Sequence, residues 1–294
     1  MRNFVRLFGY LFFTFKFLFV IHKYNFIITH NKLLIPLIPI FKLKADKLIF
    51  SIREADKDYT RYFYLKLLKI SDILTCNSEI TYSMLKNKHK NVYFIKNGID
   101  MKNAKLSIIK PPVKFNAIGI IANIDKRKNI EVIIDSLKYL PKDIKFYIAG
   151  NINDKKYQIS LFKKAERNMT LSQIIFLGHI SNVEKFYEEV DLIILPSLYE
   201  GTSNVILESF KYGKLILVSN IKENVCLINK KYHEYFVFDY SDPKDLAYKI
   251  VRIRKMVMQE NIILKDFLEN NFIFLENNYS LKKLKEEYSK LINN

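Results

Sequence analysis

The sequence predicts an α/β fold built from two parallel-sheet units joined near residue 110. Three features lead there. Short apolar runs alternate with stretches whose apolar residues recur at helical spacing, the mark of βαβ units rather than hairpins. The alternation breaks at LSIIKPPVKF (106–115), an extended connector with the only Pro-Pro pair, and restarts after it. The 294 residues allow one large domain or two of moderate size, and 49% of them are hydrophobic, enough for packed cores.

In the first unit, NFIITHN (25–31) and KLIFSIR (47–53) read as short buried strands. YTRYFYLKLLKIS (59–71) carries apolar residues at helical spacing. DILTCNS (72–78) is strand-like, EITYSMLKNK (79–88) helical, and NVYFIKNGID (91–100) a strand ending in the Asn97-Gly98 turn signal. In the second unit the strands are FNAIGIIAN (115–123), IKFYIAGN (144–151), IIFLGHI (174–180), DLIILPS (191–197) and KLILVSN (214–220), with YFVFDY (235–240) short and extended. Between them lie helices over 129–140, 157–168, 183–190 and 204–213, the last closed by Gly213. A helix over 242–260 opens with Pro243 in its first turn, and LKKLKEEYSKLI (281–292) is a basic amphipathic helix. No internal repeat exists beyond the βα alternation.

The chain carries 48 Lys and Arg against 30 Asp and Glu, a net charge of +18. That balance points to an anionic partner: nucleic acid, a phosphorylated substrate or an acidic membrane surface. A compositional bias, rich in Lys, Ile and Asn and poor in Gly and Pro, accounts for the charge equally well. Cys76 and Cys226 are far apart and give no disulfide framework or zinc pattern, which fits a reducing compartment. The five histidines show no metal-binding spacing. MRNFVRLFGYLFFTFKFLFVI (1–21) is dense in aromatics but interrupted by Arg2, Arg6 and Lys16. Its uncharged run is shorter than the roughly 20 residues a membrane span takes, and no small-residue cleavage site follows. A core helix, an interfacial helix on a membrane and a transmembrane anchor are the three readings, in that order.

Open parallel sheets bind ligands beyond the carboxyl ends of their strands. SLYEGTSNVILES (197–209) lies at such an end, with seven residues separating Glu200 from Glu208. Thr202, Ser203 and Asn204 are natural N-cap types, and Gly201 lets the backbone approach a ligand closely. Free N–H groups at such a helix start favour phosphate. Glu208 falls on the second turn, so the two carboxylates form no close catalytic dyad; they suit hydroxyls of a sugar or ribose. By spacing alone a capped helix with a solvated glutamate explains the stretch more simply. Lys128, within a KRK run, reads by itself as part of a solvated face.

PSLYEGTSNVILESFKYGKLILVS resembles the E-x7-E region of the family 4 glycosyltransferases (glycosyl transferases group 1), which have the GT-B fold: two Rossmann-like domains facing across a cleft. IANIDKRKNIEVIIDSL (121–137) is similar to the first strand, loop and helix of that family's donor domain. FYIAGN, followed by IIFLGHISNVEKFYEEVDLIILPS, and SDILTCNS with VYFIKNGID supply two further matches. The four blocks stand in order and cover about residues 70–220. The resemblance implies a shortened acceptor-side domain over 1–110, a nucleotide-sugar-binding domain over 111–278, and a terminal helix over 279–294 that packs back on the first domain.

It further implies a retaining transfer from a nucleoside-diphosphate sugar to a glycan acceptor, lipid-linked by family habit, in surface polysaccharide biosynthesis. No metal or cofactor is required. Lys128 and the N–H groups of Gly201, Thr202 and Ser203 would stabilise the leaving diphosphate, Glu200 would hold sugar hydroxyls and Glu208 the ribose. Lys128 and Glu200 are thus the implied catalytic pair. Gly178, His179 and Ile180 fall beside the nucleotide base. Asn123 stands where the family has a diphosphate-gripping Arg. The first domain also departs from the pattern: Gly9 is the only glycine before Gly98, so no Gly-rich loop is present. KLIFSIREAD offers Ser51 and Arg53 where the family often has a His; His30 and Arg53 are acceptor-side candidates. The reading is of a cytoplasmic protein, with the inner face of the cell membrane as a candidate contact. Two rivals stand beside it. A reduced first domain could leave an accessory protein that binds nucleotide sugar or a partner without turnover. A nucleic-acid binder is disfavoured, because the basic residues are spread along the chain and no recognition motif occurs.

Overall fold

The structure is a computed structural model that describes residues 23–53, 57–102, 104 and 111–293. The aromatic stretch 1–21 and half of the expected connector, residues 106–110, lie outside the described residues. The chain divides into two compact units: residues up to Asn97 together with Leu284–Asn294, and Gly98–Lys283.

The first unit holds a four-stranded parallel sheet in simple sequential order. Its strands are β1 (Tyr24–His30), β2 (Ala45–Ile52), β3 (Ile73–Cys76) and β4 (Val92–Phe94). Strict alternation along β2 sends Leu48, Phe50 and Ile52 to one face and Lys47, Ile49 and Ser51 to the other. The first face packs on α1 (Ile38–Leu43), α2 (Tyr62–Leu68) and α3 (Glu79–Leu85) through Ile38, Phe41, Leu68 and Leu85. The opposite face receives α12 (Leu281–Asn293), whose Leu291 and Tyr288 pack with Ile49, Ile73 and Ile95. The Tyr288 hydroxyl lies 3.2 Å from the hydroxyls of both Ser51 and Thr75. Lys47 donates to the carbonyls of Leu291 and Ile292, placing a cation at the helix carboxyl end. β1 is not the buried strand its apolar run predicts: among the described residues it pairs with β2 alone, at the edge of the sheet, and Tyr24, Phe26 and Ile28 are exposed.

The second unit holds six parallel strands in the order β10-β9-β8-β5-β6-β7. They are β5 (Ala117–Ile121), β6 (Lys145–Ala149), β7 (Ile174–Gly178), β8 (Leu192–Leu195), β9 (Leu215–Ser219) and β10 (Val237–Phe238). Strands β8 and β9 are buried along their whole length, as apolar strands covered on both faces must be. The covering helices are α4 (Ile130–Ser136), α5 (Lys155–Arg167), α6 (Val183–Glu189), α7 (Asn204–Lys211), α8 (Lys222–Val225), α9 (His233–Phe236), α10 (Pro243–Met258) and α11 (Ile262–Tyr279). This is the doubly wound order, and its direction reverses between β5 and β8.

YFVFDY is extended only over Val237–Phe238, because α9 runs through Phe236. The break between the compact units falls at Asn97/Gly98, ahead of the expected break near residue 110. Ile99 explains the difference. Its N–H donates to Tyr279 (2.6 Å), its carbonyl accepts from Leu281 (3.0 Å), and its side chain packs with Met101 and Ala104 on the second core.

Candidate functional site

The loops that follow β5 and β8 come together where the strand order reverses. The chain leaves β5 through Ala122–Asp125 and makes a tight 3-10 turn over Lys126–Lys128. Asn129 then takes a left-handed conformation (φ 48°), tolerated by asparagine, and α4 begins. The Asn129 side chain donates to the Tyr240 carbonyl (2.9 Å) and fixes that corner. The loop after β8 runs from Pro196 to Ser203. It is stitched to the turn by a hydrogen bond from the Leu198 N–H to the Arg127 carbonyl (2.9 Å).

The stitch brings two sequence-predicted residues into contact. The Lys128 ammonium donates to Oε1 of Glu200, and both side chains are buried, each residue 8% exposed. Ser197 donates its hydroxyl to the same oxygen (2.6 Å). Oε2 has a looser neighbour, Nη1 of Arg127 at 3.8 Å. Beneath them a buried chain holds Ser197 in place: Asn224 donates to the Ser219 hydroxyl (3.0 Å), which donates to the Ser197 carbonyl (2.7 Å). A carboxylate so surrounded is an oriented hydrogen-bond acceptor rather than a solvated surface charge. Lys128 is correspondingly no part of a solvated face.

Glu208 sits on the second turn of α7, half-buried. Its Oε2 accepts from the Tyr187 hydroxyl at 3.2 Å. Burial raises its carboxyl pKa above the ordinary value, against the opposing pull of Tyr187 and the Lys211 charge. Tyr187 is itself fixed by stacking on Tyr212, ring centroids 4.8 Å apart. Among the described residues no hydrogen bond or ion pair joins Glu208 to the Lys128–Glu200 cluster.

Helix α7 starts at Asn204 with Ser203 as its N-cap residue, yet the Ser203 hydroxyl makes no capping bond. A Cβ built on Gly201 would meet nothing within 4 Å, so open space lies above that loop. Gly178 ends β7 in the left-handed region (φ 68°) and is likewise open. His179 is exposed, and Ile180 packs on the core. These three lie at the carboxyl end of β7, with β6 between that strand and β5. Asn123 is exposed and accepts from the Asn151 N–H (3.3 Å), bridging the ends of β5 and β6. His30 and Arg53 belong to the first unit, exposed at the carboxyl ends of β1 and β2.

Sequence reasoning placed Ser197 at the end of a strand but gave it no role, and passed over Ser219 and Asn224, which lie in another segment, and Arg127, hidden between two lysines. Among the described residues no three His, Cys, Asp or Glu side chains are grouped so as to hold a metal ion. No described helix is long and apolar enough to cross a membrane.

The profile of the family described as "Glycosyl transferases group 1" matches residues 101–263. Among curated proteins the chain is 30% identical over 193 residues to the O-antigen biosynthesis glycosyltransferase WclY of Escherichia coli, covering 62% of this chain and 51% of that protein. It is 26% identical over 232 residues to the E. coli UDP-Gal:alpha-D-GlcNAc-diphosphoundecaprenol alpha-1,3-galactosyltransferase, covering 72% and 56%. It is 25% identical over 232 residues to the capsular polysaccharide biosynthesis glycosyltransferase CapH of Staphylococcus aureus, covering 77% and 60%. The chain therefore spans little more than half the length of these relatives. Anabaena Alr3699/HepE, solved with UDP, superposes with a TM-score of 0.79 at 14% identity, over 95% of this chain and 81% of that one. A glycosyltransferase from Rickettsia africae superposes with a TM-score of 0.71 at 16% identity, over 89% and 81%. At such identities the likeness concerns the fold, which is α/β of GT-B type with Rossmann-like units.

Proposed function

Since the chain belongs to the glycosyl transferases group 1 family, we propose that it moves a sugar from a nucleoside-diphosphate sugar to a glycan acceptor in surface polysaccharide biosynthesis. The observation that carries the reading is the buried Lys128–Glu200 pair at the point where the strand order reverses. In this reading the bond between the sugar's anomeric carbon and the β-phosphate oxygen breaks. Its electron pair stays on the diphosphate, an acceptor hydroxyl bonds to the carbon, and the hydroxyl proton is released. Lys128 and the N–H groups of Gly201, Thr202 and Ser203 offset the charge that gathers on the diphosphate, the electrostatic role that preorganised donors perform best. Oε1 of Glu200 is committed to Lys128 and Ser197, so Oε2 is the oxygen that accepts the sugar's hydroxyls. Glu208, oriented by Tyr187, takes the ribose hydroxyls, and the segment Gly178–Ile180 lies beside the base. His30 and Arg53 are the acceptor-side residues in this scheme. Transfer retains anomeric configuration and needs no metal or other cofactor.

The names of the relatives favour this class. WclY serves O-antigen and CapH capsule biosynthesis, and the galactosyltransferase acts on a sugar carried by diphosphoundecaprenol. The proposed acceptor is lipid-linked and the proposed place is cytoplasmic, against the inner membrane face; the galactosyltransferase's acceptor and the charge of +18, which suits an anionic bilayer, support this reading.

The test is transfer by the purified protein from a panel of UDP-, GDP- and ADP-sugars to diphosphoundecaprenol-linked acceptors, with the product's anomeric configuration read by NMR. Expected are transfer with retention, persistence in EDTA and loss in Glu200→Gln. Nucleotide binding without turnover by the unaltered chain would favour the accessory protein instead.

A further inference from the structure

The structure assigns Arg127 as the second cationic contact to the donor's diphosphate. This deepens the proposed function and rests on it. The position where the family resemblance expects an Arg holds the neutral Asn123, whose carbonyl oxygen is already used by the Asn151 N–H. With Lys128 alone, one ammonium would face a leaving group that carries at least two negative charges.

Arg127 is placed to supply the missing charge. Its backbone carbonyl is clamped by Leu198, so the turn holds it against the loop that carries Glu200. Its guanidinium stands 3.8 Å from Oε2 of Glu200 and 3.8 Å from Oδ1 of Asp125, and 5.8 Å over the Tyr199 ring. None of these is a hydrogen bond. Among the described residues no side-chain or backbone acceptor takes a hydrogen bond from the guanidinium, and Asp125 Oδ1, though buried, has no hydrogen-bond partner either. The group is therefore steered by charge and by an aromatic face while its planar fork of donors stays open. It is also only partly withdrawn from water, its side chain 35% exposed beside the 10% of Lys128. A fork of this geometry matches two phosphate oxygens at once, which an ammonium does not. Lys128 is the inner cation, shared between Glu200 and the diphosphate, and Arg127 is the outer one that joins it there.

The test compares UDP with uridine as calorimetric probes, on the full chain and on R127A and R127K. Loss of one charge-assisted contact is expected to weaken UDP about tenfold or more in R127A. Uridine affinity should stay unchanged, and R127K should fall between. R127A binding UDP as tightly as the unaltered chain overturns the assignment, and so does equal weakening of UDP and uridine, which would mark a structural role. If the unaltered chain prefers GDP or ADP, the same comparison is made with that nucleotide and its nucleoside. An unaltered chain that binds none of the three overturns the donor-site reading and the assignment together.

Discussion

Removing Lys128 alone from the Lys128–Glu200 pair should cost more than removing both partners. Each residue is 8% exposed, so the charges are taken almost wholly out of water. Lys128→Met keeps the volume and strands the Glu200 carboxylate. Breaking a buried pair from one side costs about 3–5 kcal/mol. The hydrogen bond from Ser197 at 2.6 Å and Arg127 at 3.8 Å remain to the carboxylate, so the lower end, about 3 kcal/mol, applies here. Glu200→Gln strands the ammonium with a weaker acceptor, at about 2 kcal/mol by the same reasoning. The double variant buries no charge and should lie within about 1–2 kcal/mol of the unaltered chain, since well-packed neutral replacements of buried pairs are often nearly neutral. The coupling is then about 3 kcal/mol, well above what distant sites show. The assay is urea unfolding followed by circular dichroism and by tyrosine emission, the chain having no Trp. Coincident transitions license a single free energy for a chain of two units. Lys128→Met within about 1 kcal/mol of the unaltered chain, or simple additivity in the double variant, would refute the buried-pair reasoning.

Two further outcomes follow from the same loop and helix. Gly201→Ala places a methyl group in open space at a residue without positive φ, so melting should shift little. A fall in nucleotide affinity with unchanged stability would mark ligand backbone approach at Gly201, and unchanged affinity would place the diphosphate elsewhere. Glu208 is held by burial above its ordinary pKa, with Tyr187 and Lys211 opposing. Between the ordinary and the raised value the native chain binds more protons than the unfolded one, so stability falls as pH rises through that window. Glu208→Gln should flatten that fall in melting curves taken from acid to neutral pH, and parallel curves for the two proteins would contradict the burial.

The second sheet was legible because its strands are continuous apolar runs, each closed by a turn residue or followed by an amphipathic helix. Elements that break this grammar were not. Between β1 and β2 the run LLIPLIPIFKL holds Pro36 and Pro39, which hide a helix; Pro39 sits in the first turn of α1, where no N–H partner is needed. Helix α11 buries Leu264, Phe267, Leu268, Asn271, Phe272, Leu275 and Tyr279, a helical period blurred by buried Asn271 and by exposed Ile262 and Ile273. The site divides the same way. Lys128 and Glu200 stood out by motif, and the fold brings them together across 72 positions. Ser219 and Asn224 carry no local signal, because their role comes only from tertiary contact with Ser197.

Helix capping and ligand binding compete for the same N–H groups at the start of α7. A serine in the N-cap position normally turns its hydroxyl onto the first turn, which is worth about 1 kcal/mol. Ser203 holds that position and makes no such bond, although it is buried. Two positions earlier Gly201 leaves open space where another residue would put a side chain. Three positions earlier Glu200 is the anchored member of the buried pair, with Ser197 bonded to it. A missing capping bond is shared with Ser78 at the start of α3, so it is the buried ion pair beside α7 that a loop shaped only to begin a helix does not need. In the proposed reading, the open space at Gly201, next to a carboxylate fixed from below by Ser197, is where the diphosphate and its sugar hydroxyls meet the start of α7.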